Sequence, residues 1–301
     1  MTNKHTKIFL LLLFPLFSTP LMAKVSIELY NCYGSPYKMM ISGRVLETKE
    51  HQEQKRDDGW FTNSWHKLKH LINSEVKNEP ITVTIGRLKK QAKTDDEGYF
   101  EFELLNTQKA WENRQNVKLT LNQKDTMLNV SALILDDNIS KGLISDFDDT
   151  VIVSNVTHKL KLLNNTLFKN YKQRELVQEV AKKIKASNAP LFIVTGSPRQ
   201  LQSSIDKFLD YHHFQKRTII TKKAHGDNAD PLFDQLSYKF SYIEKLIELF
   251  PHIVWDCYGD SGEKDKEVYF ALAKKYPHNI GKIYIRDVES GQVRLKNKNL
   301  K

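Results

Sequence analysis

Four short apolar runs punctuate the second half of the chain: Gly142-Leu143-Ile144-Ser145, Pro190-Leu191-Phe192-Ile193-Val194, Arg217 to Thr221, and Ile253 to Tyr258. Each is too short for a helix and is bounded by polar or turn-forming residues, so each reads as a buried strand. From Lys239 onward, Phe240, Ile243, Leu246, Ile247 and Phe250 recur at helical spacing. Strand, helix and strand repeated in this way predict a parallel sheet with helices on both faces. The first part of the chain has a different period. Ile81 to Ile85 and Tyr99 to Leu104 alternate, and Val25–Leu29, Met40–Leu46, Val117–Leu121 and Leu128–Leu135 are strand-like. Several short strands with polar turns predict a small β-sandwich-like domain. Thr94-Asp95-Asp96-Glu97-Gly98 reads as the turn of a hairpin; it lacks the ligand spacing of a calcium loop. Trp65, Leu68 and Leu71 predict a helix within Phe61–Val76. The expected division is a β-rich domain over 24–139 and an α/β domain over 140–301, joined at Asp136-Asp137-Asn138.

Lys4 and Lys7 precede an apolar run from Ile8 to Phe17, and Leu21-Met22-Ala23 follows it. This layout predicts a signal peptide over 1–23 and an exported protein, periplasmic or secreted. The run is shorter than the roughly 20 residues a membrane span needs. Net charge is +10 over 301 residues, and Lys4 and Lys7 hold two of those charges. The remaining excess suits anionic partners such as acidic lipid, or reflects solvated lysine-rich faces. No nucleic-acid module is visible. Cys32 and Cys257 could pair in an oxidising compartment, but Cys257 falls in a core strand, so two free thiols are expected. No cysteine–histidine cluster suggests zinc.

The chemistry lies directly after the strands. Asp146-Phe147-Asp148-Asp149-Thr150 follows the first run, Thr195-Gly196-Ser197-Pro198 the second, and Gly259-Asp260-Ser261-Gly262-Glu263-Lys264-Asp265 the fourth. In open parallel sheets ligands bind beyond the carboxyl ends of the strands, so Asp146, Thr195 and Asp260 converge. Burying that much acid is costly unless positive charge offsets it. A divalent metal and a phosphoryl group would make it productive. One aspartate can attack phosphorus and the next can give and take a proton. Ser197 can cap a helix, with Pro198 at its first position. Lys222 and Lys223 compete with Lys239 as the site's cation; Lys239 is favoured because its helix leads into the acidic-loop strand. Arg199 is as readily an exposed first-turn residue as a phosphate contact. Asp149 reads equally as a helix cap, and His158 and His225 lack a partner pattern. Trp255, Phe192 and Phe208 are expected in the core.

In these segments, together with Ser154, Val156, Leu201, Tyr238, Leu249-Phe250-Pro251, Glu267 and Tyr269, the chain resembles the actin-patch-type phosphatidate phosphatases and their bacterial relatives, within the haloacid-dehalogenase superfamily. The resemblance implies a Rossmann-like domain with a minimal cap. It implies Asp146 as nucleophile, Asp148 as acid and base, and Lys239 as the neutralising cation. Thr150 would orient the motif, and Thr195 with Gly196 would meet the phosphoryl group. Magnesium would be held by Asp146, the Asp148 backbone carbonyl and Asp260, with Asp265 as ligand or support. Lys266 stands where relatives often have proline. Asp256 puts charge into a strand that is apolar in relatives, so either that strand is less buried or Asp256 pairs with a lysine. The intervals between segments cannot hold a large cap, which favours bulky or surface-bound substrates. The expected function is an exported magnesium-dependent phosphomonoesterase acting on phosphatidic acid or a related lipid phosphate, with peripheral contact to anionic membrane. The alternatives are a broad periplasmic acid phosphatase and a non-catalytic anion-binding protein.

Overall fold

The computed structural model describes residues 24–48, 75–107, 111, 114–121, 126–153, 172, 174–223 and 235–296. Alternation builds the first sheet. Strand β5 (Tyr99–Leu105) buries Phe100, Phe102 and Leu104 and exposes Glu101 and Glu103. β6 (Gln115–Leu121) buries Val117, Leu119 and Leu121 in the same way. With β1 (Lys24–Gly34), β2 (Lys38–Thr48), β3 (Pro80–Ile85), β4 (Leu88–Lys93) and β7 (Thr126–Ile134), they form seven strands in the order β4-β3-β6-β7-β1-β2-β5. Neighbours pair antiparallel except β1 and β7, which pair parallel at Tyr33–Leu133 and Gly34–Ile134. Lys90 Nζ on β4 donates to the Glu103 carbonyl on β5 at 2.9 Å, so the two ends of the sheet approach each other. Met39, Ile41, Val83, Phe102, Leu119 and Ile134 share the core between them.

One expectation changes here. The Thr94–Gly98 turn joins β4 to β5, but β4 pairs with β3 and β5 with β2, so it is a corner and not a hairpin. Asp95 Oδ1 accepts the Glu97 and Tyr99 N–H groups (2.9 and 2.8 Å), and Gly98 takes φ +77°. Those bonds specify a local turn and leave the choice of partner strand to the core. The first sheet also packs against the second half. Its Tyr33 and Leu135 pack in one cluster with Phe192, Phe250 and Trp255 of the second half. The helix expected over Phe61–Val76 lies outside the described residues apart from Glu75 and Val76, and Glu75 bridges Leu46.

After a turn in which Asp136 Oδ1 accepts the Asn138 N–H (3.0 Å), the second sheet begins. It consists of β8 (Lys141–Ser145), β9 (Leu191–Pro198), β10 (Arg217–Lys222), β11 (Val254–Asp260), β12 (Ile280–Arg286) and β13 (Val293–Lys296), in the order β10-β9-β8-β11-β12-β13. All pair parallel except β13 with β12. Both faces are covered, which is why these strands read as continuous apolar runs. Ile144, Phe192, Val194, Ile220 and Cys257 face α3 (Gln235–Leu249) and α4 (Asp265–Lys275). Leu143, Leu191, Ile193, Ile219 and Tyr258 face α1 (Gln178–Ser187) and α2 (Gln202–Tyr211). Trp255, Phe192 and Phe208 are fully buried. Asp256 is also buried, and it pairs with Lys141 Nζ (3.0 Å) and accepts the Lys282 N–H (2.8 Å). Both cysteines are free, and burial pushes the Cys32 thiol up to about 12. Among the described residues no helix is long and apolar enough to cross a membrane.

Candidate active site

β8 lies between β9 and β11, so the carboxyl ends of these three strands meet at the centre of the second sheet. Asp146 leaves β8 fully buried, its N–H donating to the Tyr258 carbonyl at 2.9 Å. Lys239, equally buried, donates from Nζ to Asp146 Oδ1 (2.9 Å), Glu263 Oε2 (2.9 Å) and Asp265 Oδ1 (2.5 Å). α3 starts at Gln235, so Lys239 sits in its second turn and does not open the helix. Desolvation alone would lower the pKa of its ammonium. The charges of Asp146, Asp265 and Glu263 outweigh that and hold its pKa well above the usual lysine range.

The carboxylates are raised as well. Burial raises Asp146 well above the usual range despite Lys239. Burial, then Asp265 and Glu263, push Asp260 up to about 7. Asp265 is raised by burial as well. One ammonium among four carboxylates leaves the cluster short of positive charge. Asp260 Oδ1 accepts the Gly262 (2.5 Å) and Glu263 (3.0 Å) N–H groups, while its own N–H donates to Asp265 Oδ2 (3.2 Å). Asp260 Oδ2 and Asp146 Oδ2 are buried with no hydrogen-bond partner among the described residues. One oxygen each from Asp146, Asp260, Glu263 and Asp265 lies within 4.8 Å of the others. An all-carboxylate, charge-deficient donor set with two orphaned oxygens fits a hard divalent cation such as magnesium.

Asp148 stands on a tight turn. The Val151 and Ile152 N–H groups both donate to the Phe147 carbonyl (2.9 and 3.2 Å). Asp149 takes φ +53°, a conformation aspartate tolerates better than most residues. Arg286 Nη1 donates to the Asp149 carbonyl at 2.9 Å and lies 3.7 Å from its carboxylate. Asp149 is therefore a turn residue anchored to β12, not a helix cap. Asp148 itself is 6% exposed, and Ser197 Oγ donates to its Oδ2 at 2.8 Å. Ser197 does not cap a helix, because β9 runs on to Pro198 and a 3-10 turn, Arg199–Leu201, leads into α2. Thr195 is buried, and its hydroxyl accepts the Ser197 N–H (3.1 Å). Gly196 is half-buried. Thr150 Oγ1 is buried without a partner among the described residues. The Arg174 guanidinium lies 6.0 Å from the Phe147 ring centroid, within the field of Asp148.

The structure thus gathers Asp146, Asp260, Asp265 and Lys239 in one cluster, with Asp148 beside Ser197 on the neighbouring strand. Lys223 goes elsewhere, pairing with Asp95 (2.8 Å) and Glu97 (2.9 Å) of the first sheet. Lys222 Nζ lies 5.6 Å from the Tyr238 ring centroid. Arg199 is buried, not exposed. His158 and His225 lie outside the described residues. Sequence reasoning gave no role to Glu263, Arg174 or Arg286, and misread Ser197. Glu263 could have been found, as an acid between Asp260 and Asp265 on one short loop; nothing in the sequence marks Arg286.

Residues 141–287 match the family profile described as phosphatidate phosphatase APP1, catalytic domain. Over 150 residues the chain is 28% identical to phosphatidate phosphatase APP1 of Saccharomyces cerevisiae. That match covers 48% of this chain and 25% of the yeast protein, so the chain spans about a quarter of that relative's length. Among solved structures, a Pnkp1/Rnl/Hen1 complex is similar at 14% identity over 51% of this chain and 52% of that one, with a TM-score of 0.34. A carbohydrate acetylesterase from Xanthomonas citri is similar at 11% identity over 77% and 60%, with a TM-score of 0.26. Both scores are too low to carry an argument about fold or chemistry.

Proposed function

Residues 141–287 belong to the catalytic-domain family of phosphatidate phosphatase APP1, and from that footing we propose that the protein is a magnesium-dependent phosphomonoesterase working through an aspartyl-phosphate. Its second half is read as a haloacid-dehalogenase Rossmann-like domain. One observation carries the reading. Asp146 has one oxygen tied to Lys239 and the other buried without a partner among the described residues, while Asp148, two residues on, is held by Ser197.

In the first step a carboxylate oxygen of Asp146 bonds to phosphorus as the ester P–O bond breaks. Asp148 delivers its proton to the departing alcohol oxygen. In the second, Asp148 takes a proton from water attacking phosphorus, the acyl-phosphate bond breaks, and Asp146 and phosphate are regenerated. Lys239 favours the ionised form of Asp146 against the burial that opposes it, and lowers its repulsion toward the phosphoryl oxygens. Thr195 would meet the phosphoryl group, and Thr150 would orient the motif. Asp146, Asp260, Asp265 and the Asp148 carbonyl, with Glu263 beside them, would hold magnesium, which neutralises phosphoryl charge when bound.

The substrate we assign is phosphatidic acid or a related lipid phosphate at an anionic membrane surface. The family, the absence of room for a large cap between the catalytic segments and the basic composition support it. The apolar run Ile8–Phe17 supports export to the periplasm or beyond. The test is phosphate release from phosphatidic acid vesicles and from an aryl phosphate, each with magnesium and with chelator. Magnesium-dependent release favouring the lipid, abolished in Asp146→Asn, is expected. Release from the aryl phosphate alone would discard the lipid assignment, and release unaffected by chelator would discard the metal.

A further inference from the structure

Arg199 directly follows the Thr195–Pro198 segment that reaches the site, yet its partners belong to the first sheet. It is 4% exposed. Its guanidinium carbon lies 5.6 Å from the Tyr30 ring centroid and 5.1 Å from that of Tyr99, two rings whose centroids are 6.0 Å apart. Nη2 reaches Glu101 Oε1 at 3.4 Å. A planar cation lying against two rings at once is fixed in position and tilt, as a lysine would not be. Three residues on, Gln202 Nε2 donates to the Tyr30 carbonyl (2.5 Å) and its Oε1 accepts from Thr221 Oγ1 (2.8 Å). Both ends of the Arg199–Gln202 turn are therefore fastened to the first sheet. Immediately before Pro198, Ser197 Oγ donates to Asp148 Oδ2.

We infer that the first sheet is part of the catalytic apparatus: the Tyr30–Arg199–Tyr99 clamp sets Ser197, and Ser197 sets the Asp148 carboxyl, for proton transfer to the leaving oxygen. The inference rests on the reading of Asp148 as the acid. Tyr30, Tyr99 and Arg199 are positioning residues, since none touches the reacting atoms. When Asp146 displaces an alkyl alcohol, the departing oxygen must take the Asp148 proton as its bond to phosphorus breaks. A strongly electron-poor aryl oxide leaves as a stable anion and needs no proton. A misplaced Asp148 thus penalises alkyl esters far more than activated aryl esters, whereas a loosened fold lowers the active fraction for all substrates equally.

The experiment compares kcat/KM, which reports the first chemical step, for an alkyl phosphate and a series of aryl phosphates of increasing leaving-group strength. The full-length protein is used unaltered and as Asp148→Asn, Tyr99→Leu, Tyr99→Phe and Arg199→Gln. Tyr99→Leu and Arg199→Gln should lose about tenfold on the alkyl ester and less than about twofold on the most activated aryl ester, a smaller copy of the Asp148→Asn pattern. Tyr99→Phe, which keeps the ring face, should match the unaltered protein. Equal losses on every substrate, or none, in a protein where Asp148→Asn does steepen the leaving-group dependence, would overturn the clamp and leave the phosphatase reading standing. An unaltered protein that hydrolyses nothing, or an Asp148→Asn variant with no leaving-group bias, would sink the reading beneath it. Arg199→Gln reads the same contact from the other side should Tyr99→Leu not fold.

Discussion

Lys239 is surrounded by three carboxylates at full burial, so removing its charge exposes their repulsion. Lys239→Met should destabilise the metal-free protein by about 3–5 kcal/mol, read as a lowered Tm, with magnesium restoring part of the loss. Asp260 supplies a pH signature. Its folded pKa, near 7, lies above that of an ordinary aspartate, so between about 4 and 7 the folded chain holds a proton that the unfolded chain has released. Stability of the metal-free protein should therefore fall as pH rises through that window. A bound cation must displace the same proton, so magnesium affinity should weaken up to about tenfold per pH unit below 7 and release protons there. Calorimetry at pH 6 and pH 8 in buffers of different ionisation enthalpy checks this; no proton release at pH 6 would contradict it. At this scale the acids were legible, because carboxylates in a buried motif are chemically conspicuous. Ser197 was not. Its role depends on β9 continuing four residues beyond the apolar run, and a serine before a proline looks like a cap from local preference alone.

Elements show the same division between local and distant information. Four of the six strands of the second sheet, β8 to β11, could be read directly, because burial on both faces leaves a continuous apolar run; β12 and β13 were not read. The Thr94–Gly98 corner could not, because Asp95 and Gly98 specify a turn while the partner of each strand is chosen by a core assembled from residues far apart in sequence. Close packing between elements yields two further predictions with opposite outcomes. A Cβ on Gly142 would collide with the Trp255 ring in the core of the sheet. Gly142→Ala should cost about 1–3 kcal/mol of stability, seen as a lower denaturant midpoint, with kcat preserved in the molecules that remain folded. A Cβ on Gly259 would instead meet the Asp265 side chain, its Oδ2 at 2.7 Å. Gly259→Ala should push Asp265 off Lys239 and weaken magnesium binding and turnover more than it lowers Tm. Equal effects of the two substitutions on turnover would refute the distinction.

For the whole molecule, the junction between the sheets was the least legible feature. Arg199, Gln202 and Lys223 have ordinary surface-residue composition, and only their meeting with Tyr30, Tyr99, Asp95 and Glu97 explains their burial and pairing. That junction also bears on solubility. The second sheet has two rims, β10 and β13. β13 is four residues long and carries Arg294 and Lys296, which makes it a poor template for another strand. β10 is longer and more apolar, and β1 lies along it; with its amide oriented to satisfy its neighbours, Asn31 donates to the Ile219 carbonyl at 2.8 Å. Residues 140–301 alone would bare that rim together with the surface that Tyr33 and Leu135 cover. By light scattering they should form higher-order species at concentrations where the full chain stays monodisperse. The first sheet is, in this sense, an intramolecular chaperone that occupies the strand edge another copy would otherwise extend into an aggregate.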